Sequence, residues 1–290
     1  MIKKAVIPIA GLATRFLPLS KVVSKEFFPL IDKPTIHYII EEAKASGIKE
    51  IVFVTRPKSK EISEYFEENP KLEKFLKVRK RDYLLKELYE IKELAKNLSF
   101  SFITQKEPLG DGHAILQTKK MIKKEPFGIF FPDDVVYSKT PCLEQLINIF
   151  RTSQAPVIGL KKVSDEKIPS YGIVEVEKIS SHLYKIKKIV EKPQKESAPS
   201  NLAIVGREIL TPEVFSYLEK ASLNSKKEII LSEVLGKMVD DGKVIYGYEF
   251  EGKWLECGNK LNWLKSNFYL CLKDPEFGES LKKFLNEENL

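Results

Sequence analysis

Arg15, Lys25, Asp133 and Asp134 are the residues of this chain whose types and surroundings first suggest chemistry. The two cations fall within the stretch KKAVIPIAGLATRFLPLSKVVSKEFFPLIDK. There an apolar run from Ala5 to Ala10 breaks at Gly11 into a loop carrying Thr14, Arg15, Lys21 and Lys25. This pattern predicts a buried strand that hands the chain to an anion-binding loop. Backbone N–H groups in such a loop can face phosphate oxygens, Arg15 can donate a planar fork, and Lys25 can supply a compact positive charge. The two aspartates follow the apolar run from Phe127 to Phe131 in FGIFFPDDVVY. Ligands commonly bind beyond the carboxyl ends of parallel strands. Mg2+ often takes one or two protein carboxylates and completes its shell with substrate phosphates, so a pair of aspartates suffices. Asp133 is expected to coordinate directly and Asp134 is the second candidate.

The elements that must hold these residues are legible as strand, helix, strand. TIHYIIEEAKASG places Ile36, Ile39, Ile40 and Ala43 at helical spacing, with Pro34 before it and Gly47 as its stop. IVFVT, residues 51–55, reads as a second buried strand, which favours a parallel α/β sheet. Apolar stripes through residues 58–97 predict helices packed on the core by one face. SFSFIT reads as a strand ending at Gln105, before the glycine-rich turn KEPLGDGHA. Residues 155–160 read as a further strand. Beyond Lys161, YGIVEVE, HLYKIKKIVEKP and NLAIVG are short strand-like runs, either an antiparallel sheet or a second lobe. Helices are expected over 212–218 and 228–239, and again from 261 to 285 with a break near Pro275.

Composition limits the function classes. A chain of 290 residues with 43 % hydrophobic residues can bury a core of enzyme size. Its net charge of +7 suits phosphorylated ligands, but lysines and acidic residues alternate without a localised basic footprint, which argues against nucleic acid. Cys142, Cys257 and Cys271 are widely spaced and form no CxxC, so neither a disulfide framework nor a zinc site is expected, and a reducing cytoplasm fits. No apolar run reaches the roughly 20 residues needed to span a bilayer. The first loop is neither GxxxxGK[ST] nor GxGxxG, which turns the reading away from ordinary ATPases and nicotinamide dehydrogenases. His37, His113 and His182 have no metal-ligand spacing, and only His113 is expected near a nucleotide.

Taken together, AGLATRFLP, Lys25–Glu26, DKPTIHYIIEEA, KEPLGDGHA, PDD, YGIV, VEKP, APSNLAIVGR and ECGNK resemble the sugar-1-phosphate nucleotidyltransferases, and within them the bacterial UTP-glucose-1-phosphate uridylyltransferases. The resemblance runs from Lys3 almost to residue 270. It implies a single nucleotidyltransferase domain over 1–290, with a mixed, mainly parallel Rossmann-like sheet flanked by helices and a smaller antiparallel sugar-binding region. The subregions would be 1–160 for nucleotide, 161–260 for sugar phosphate, and C-terminal helices over 261–287. The implied reaction is Mg2+-dependent: UTP and glucose 1-phosphate give UDP-glucose and pyrophosphate. Matching positions make Arg15, Lys25 and Lys192 catalytic, and Ala10, Gly11, Thr14, Gln105 and Gly110 nucleotide-binding. Gly172, Glu191 and Lys192 match sugar-phosphate positions, with Asp133 and Glu256 as metal ligands. A homo-oligomer is compatible with the family.

Four departures from the family pattern bear on the site. Ala13 adds a β-carbon where glycine is usual, Asp111 brings a charge where leucine is more common, and Pro132 removes a backbone donor from the GDD block. Glu256 stands one methylene longer than the usual aspartate. Two other readings stay open: transfer of thymidylate to a sugar 1-phosphate, since uracil and thymine share one hydrogen-bonding edge, and a noncatalytic nucleotide-sugar sensor.

Overall fold

The computed structural model describes residues 2–224 and 227–289. The strands are β1 (Lys4–Ile9), β2 (Pro29–Leu30), β3 (Lys33–Pro34), β4 (Glu50–Thr55), β5 (Ser99–Thr104), β6 (Phe127–Phe130), β7 (Asp134–Tyr137), β8 (Val157–Lys162), β9 (Gly172–Lys178), β10 (Leu183–Glu191), β11 (Leu202–Leu210), β12 (Tyr246–Glu249) and β13 (Lys253–Glu256). The helices are α1 (Thr35–Ala45), α2 (Glu61–Phe66), α3 (Pro70–Val78), α4 (Asp82–Ala95), α5 (Asp111–Gln117), α6 (Lys119–Ile122), α7 (Cys142–Ser153), α8 (Val214–Asn224), α9 (Leu231–Asp240), α10 (Lys260–Lys273) and α11 (Gly278–Glu287).

Among the described residues, nine strands form one mixed sheet in the order β5-β4-β1-β6-β11-β8-β12-β10-β9. The half carrying the N-terminal loop is parallel, with β1 between β4 and β6. The strands beyond Lys161 continue the same sheet, largely antiparallel, instead of making a second lobe: β11 pairs with both β6 and β8, and β10 pairs with β9 and β12. Helices cover both faces, which explains why β1 and β4 are apolar without alternation. Ile7, Ile51 and Phe53 belong to the core on one face, and Val6, Val52 and Val54 to the core on the other. The apolar spacing of α1 buries Ile36, Ile39, Ile40 and Ala43 completely, and Gly47 at φ +85° ends the helix in a left-handed turn. In α3 and α4 only Leu76, Leu85 and Leu94 are buried, while Leu72, Phe75 and Leu84 stay exposed, so the packing stripe is narrower than the sequence suggests.

One buried ion pair ties the two halves together. Arg207, on β11, is 0 % exposed and lays Nε and Nη2 against the Glu42 carboxylate of α1 at 2.8–3.0 Å. Its Nη1 donates to the carbonyl oxygens of Gly206 at 2.7 Å and Phe131 at 3.3 Å, and its guanidinium lies 4.7 Å from the Phe130 ring centroid. Glu42 also accepts the Leu143 N–H at the start of α7 at 3.0 Å. Removing one member leaves an uncompensated buried charge, which costs about 3–5 kcal/mol. Glu42→Gln is therefore expected to lower unfolding stability in urea by about that amount, and the double variant Glu42→Leu/Arg207→Met to recover most of it. A loss below about 1 kcal/mol for the single variant would show that the pair does not hold the fold.

Candidate active site

Two cavities open at the carboxyl ends of the parallel strands and share the wall formed by Asp111, Phe131 and Asp133. One, of about 470 Å³, is lined by Ala10, Gly11, Thr14, Lys25, Gln105 and Gly110. The other, of about 570 Å³, is lined by Arg15, Gly172, Glu191, Lys192, Ser232 and Glu256. Every residue expected at the nucleotide falls in the first cavity and every residue expected at the sugar in the second. Lys25 lies in the first, Arg15 in the second, and Asp133 stands where they join. Lys21, exposed on the same loop, lines neither cavity. A further cavity of about 580 Å³, beside α1 and α10, contains none of the predicted residues.

The first cavity is built by backbone. Gly11 has open space where a side chain would start, so its peptide is free to approach an anion. Ala13 takes the left-handed conformation at φ 50°, a conformation that costs an L-residue about 1–2 kcal/mol. Its β-carbon thus adds strain to the loop. Gly110 is required: at φ +94°, a Cβ would stand 2.4 Å from the Ile229 carbonyl oxygen. Gln105 is buried and donates Nε2 to the Gly110 carbonyl oxygen at 3.0 Å, with His113 Nδ1 2.9 Å away. His113 therefore holds the Gln105 side chain and does not itself line the cavity.

At the junction, Lys25 Nζ lies 2.7 Å from Asp133 Oδ2. Burial alone would push the Asp133 carboxyl up, but Lys25 holds it below its ordinary range. Burial likewise works against the Lys25 charge, and Asp133 with Glu26 raises it above the usual lysine value. Pro132 occupies the second position of a turn closed by the Asp134 N–H donating to the Phe131 carbonyl at 3.2 Å. That position makes no demand on its N–H and favours proline, so the missing donor costs nothing. Asp134 lines the sugar-side cavity but is held by the scaffold: it accepts from Trp254 Nε1 at 2.7 Å and from the Gly206 N–H at 3.1 Å. Burial and the neighbouring Asp133 push its carboxyl up.

Glu256 reaches Asp133 by a device absent from the sequence reading. Strands β7 and β13 form a separate antiparallel ribbon whose register sets Glu256 opposite Asp134. Tyr171 Oη and Asn262 Nδ2 donate to Glu256 Oε2, and Asn259 Nδ2 donates to Oε1 at 3.3 Å. Burial and Glu256 together raise the Tyr171 hydroxyl well above the ordinary tyrosine range, so it stays a donor. A Cβ on Gly258 would lie 3.2 Å from Asp133 Oδ2 and 3.7 Å from Glu256 Oε1. The two carboxylates therefore face one small space that glycine leaves clear, despite the extra methylene of Glu256.

In the second cavity, Gly172 sits opposite Glu191 in the β9–β10 register, and a Cβ there would stand 3.2 Å from Glu191 Oε2. Ser232, on α9, donates to that oxygen at 2.6 Å, while Lys192 Nζ lies 2.9 Å from Oε1. Lys192 is held at φ 45°, an uncommon conformation for a lysine, by its N–H bond to the Tyr171 carbonyl at 3.0 Å. Asp111 does not point outward. It accepts the backbone N–H groups of Gly112 at 2.6 Å and Leu231 at 2.9 Å, joining α5 to α9. Burial raises its carboxyl to about 6 in spite of those two donors.

Tyr171 and Asn259 lie within the motifs YGIV and ECGNK, but their hydrogen-bonding roles require the fold. Ser232 carries no local signal at all.

A family model described as Nucleotidyl transferase matches residues 4–270. The UTP–glucose-1-phosphate uridylyltransferase of Staphylococcus haemolyticus is 41 % identical over 286 residues, covering 99 % of this chain and 98 % of that protein. Among solved structures, a UTP-bound enzyme of the same type from Acinetobacter baumannii superposes with a TM-score of 0.89 at 35 % identity, covering 99 % of each chain. A UDP-glucose pyrophosphorylase complexed with UDP-glucose superposes with a TM-score of 0.84 at 33 % identity, covering 94 % of this chain and 100 % of the other. With the family match spanning nearly the whole chain and both cavities built from its motifs, the chain belongs to the nucleotidyl transferase family.

Proposed function

We propose that this protein is a uridylyltransferase that converts UTP and glucose 1-phosphate to UDP-glucose and pyrophosphate. The observation that carries the reading is the meeting of the two cavities at Asp133, with Lys25 on one side and Arg15 and Lys192 on the other. The uridylyltransferase relatives at about 40 % identity over the full chain support the choice of substrates. A phosphate oxygen of glucose 1-phosphate attacks the α-phosphorus of UTP, the bond from that phosphorus to its bridging oxygen breaks, and the oxygen leaves with pyrophosphate. The nucleophile is already anionic, so no general base is needed. What the protein must supply is alignment and positive charge.

In this reading the Gly11–Thr14 backbone and Lys25 hold the UTP phosphates, and Gln105 and Gly110 present polar groups to the uracil edge. Arg15 and Lys192 bring the sugar phosphate in, and Glu191 accepts hydrogen bonds from glucose hydroxyls, which are strong to a carboxylate. The donor chemistry supports Mg2+ at Asp133 and Glu256, two hard oxygen ligands facing one space beside Gly258. When bound, Mg2+ would offset the charge of the phosphates in a cleft otherwise rich in carboxyls. Among the described residues no helix is long and apolar enough to cross a membrane, and all three cysteines are free thiols, which supports placing the reaction in the cytoplasm.

The first test is pyrophosphate release from purified protein with glucose 1-phosphate and Mg2+, comparing UTP with dTTP. Preferred use of UTP, with UDP-glucose identified by mass, is expected; preference for dTTP would move the protein to thymidylyl transfer. UDP-glucose binding with no release from either nucleotide would favour a sensor. Lys25→Ala is expected to lower kcat by about 10²–10³-fold, as for loss of one preorganised charge, with a smaller effect on nucleotide affinity. Glu191→Ala should instead raise KM for glucose 1-phosphate by roughly tenfold and relax sugar choice. Unchanged kinetics in both variants would sink the division of labour. For Asp133→Asn, the expected result is a higher Mg2+ concentration for half-maximal rate; full turnover at the original Mg2+ requirement would remove Asp133 from the metal site.

A further inference from the structure

Glu208 is a buried carboxyl that the reaction as written does not use. It is 3 % exposed, lies on β11 and lines the sugar-side cavity together with Ile204 and Gly206, the alternate residues of the same strand. Its strand partners are Ile129 and Ile158, both fully buried, so the sheet offers it no polar neighbour. Oε2 has no hydrogen-bond partner among the described residues. The charged groups that face it from neighbouring elements are Asp111 and Asp134. Both are carboxyls already committed to donors of their own, Asp111 to two backbone N–H groups and Asp134 to Trp254 and Gly206. Burial first, and then those two carboxyls, raise Glu208 to about 8, so near neutral pH it carries a proton and can both donate and accept.

A buried polar group without a partner is destabilising, and native structures keep one where a ligand or function uses it. Glu208 borders the cavity, so a group bound there is the partner from outside the fold that stands nearest to it. Glu191 and Ser232, hydrogen-bonded to one another at 2.6 Å, line the same cavity from β10 and α9. A hydroxyl, which is donor and acceptor at once, matches a protonated carboxyl atom for atom. An alkyl position would leave Glu208 Oε2 without a partner.

We infer that Glu208 is a specificity-determining residue that hydrogen-bonds one ring or exocyclic hydroxyl of the sugar 1-phosphate. The inference rests on the proposed uridylyl transfer and adds a second carboxyl, from a different strand, to the recognition assigned to Glu191. A site built to hydrogen-bond a hydroxyl rejects the analogue lacking it, because the protein group is then left unpaired.

The test compares glucose 1-phosphate with its 2-, 3-, 4- and 6-deoxy analogues in the wild-type protein, Glu208→Gln and Glu208→Leu. In the wild type one analogue is expected to lose about ten- to a hundredfold in kcat/KM through Glu208. Glu208→Leu should show that loss on glucose 1-phosphate itself and no longer distinguish that one analogue, while the other deoxy penalties and KM for UTP stay put. Glu208→Gln, which keeps a donor and an acceptor, should retain most of the discrimination. If Glu208→Leu preserves all four penalties, or lowers activity equally on every sugar, Glu208 has only a packing role and the inference is wrong. Should the wild type release no pyrophosphate, the proposed activity fails on its own, and the ratio of UDP-glucose to UDP affinity decides the question for Glu208. A ratio that collapses in Glu208→Leu but survives in Glu208→Gln upholds the contact, and a ratio unchanged in both overturns it.

Discussion

The buried fork between Arg207 and Glu42 is the constraint on which the catalytic geometry depends. A guanidinium with no exposure to water must be met by a carboxylate and by carbonyl oxygens, and each of its partners here belongs to a different part of the site's support. Glu42 fixes α1 against the start of α7, and the Phe131 and Gly206 carbonyls fix the turn that carries Asp133. Gly206 allows this because a Cβ at that position would stand 2.5 Å from both Phe131 and Asp134. The close approach then lets the Gly206 N–H hold Asp134, and Asp134 in turn holds Trp254 of the ribbon that delivers Glu256. The charge at the centre of the sheet is thus tied by hydrogen bonds to the turn that carries Asp133 and to the ribbon that carries Glu256.

The electrostatics of the cleft run against its cargo. The chain carries a net charge of +7, yet the sugar-side cavity is lined by six carboxyl groups and only two cations, Arg15 and Lys192. Two phosphorylated substrates entering such a cavity would be repelled if every carboxyl were ionised. The structure relieves this in two ways. Asp134, Glu208 and Asp111 are raised by burial, so part of the negative charge is taken up by protons, whereas Asp133 stays ionised because Lys25 is 2.7 Å away. Lys25 thereby keeps a charged carboxylate at the junction, where a hard cation would be most useful. Lys25 pairs with Asp133 and also lines the first cavity, so the same cation stands where a phosphate of the proposed nucleotide would come.

How much of this the sequence carries depends on how local the cause is. The first strand, its loop, α1 and β4 are written in continuous apolar runs and in helical spacing, and their bounds differ from the reading by only one or two residues. That the Gly11–Thr14 loop, Asp133 and the Glu191–Lys192 pair border the cavities is legible because each is a short block in a fixed order. The β7–β13 ribbon is not, since two four-residue strands of mixed polarity more than a hundred residues apart have no periodicity to announce them. The Arg207–Glu42 pair is equally hidden: Arg207 stands just past the strand-like run NLAIVG and Glu42 beside an apolar position of the first helix, and only their meeting across the core gives either charge a reason to be buried. Asp111 and Pro132 show the converse. As substitutions in a motif they suggest damage, but each finds a local role, one as a double backbone acceptor and the other at the turn position that suits proline.

The two strained residues of the site make the same point about where specificity is stored. Ala13 and Lys192 both sit at positive φ, at opposite ends of the cleft. Such conformations persist only where the surroundings over-determine them. For Lys192 the restraint is visible: the register of β9 and β10 ends at the Gly172–Glu191 pair, and the Lys192 N–H then turns to the Tyr171 carbonyl. Tyr171 also donates its hydroxyl to Glu256, so one residue shapes the backbone at Lys192, proposed to meet the sugar phosphate, and orients a carboxylate expected at the metal. A shift of the Tyr171 ring would disturb Glu256, and a shift of its backbone would disturb Lys192. Because catalysis of phosphoryl transfer rests on alignment and charge, with no base to compensate, that coupling makes Tyr171 a positioning residue of the cleft though it transfers no proton.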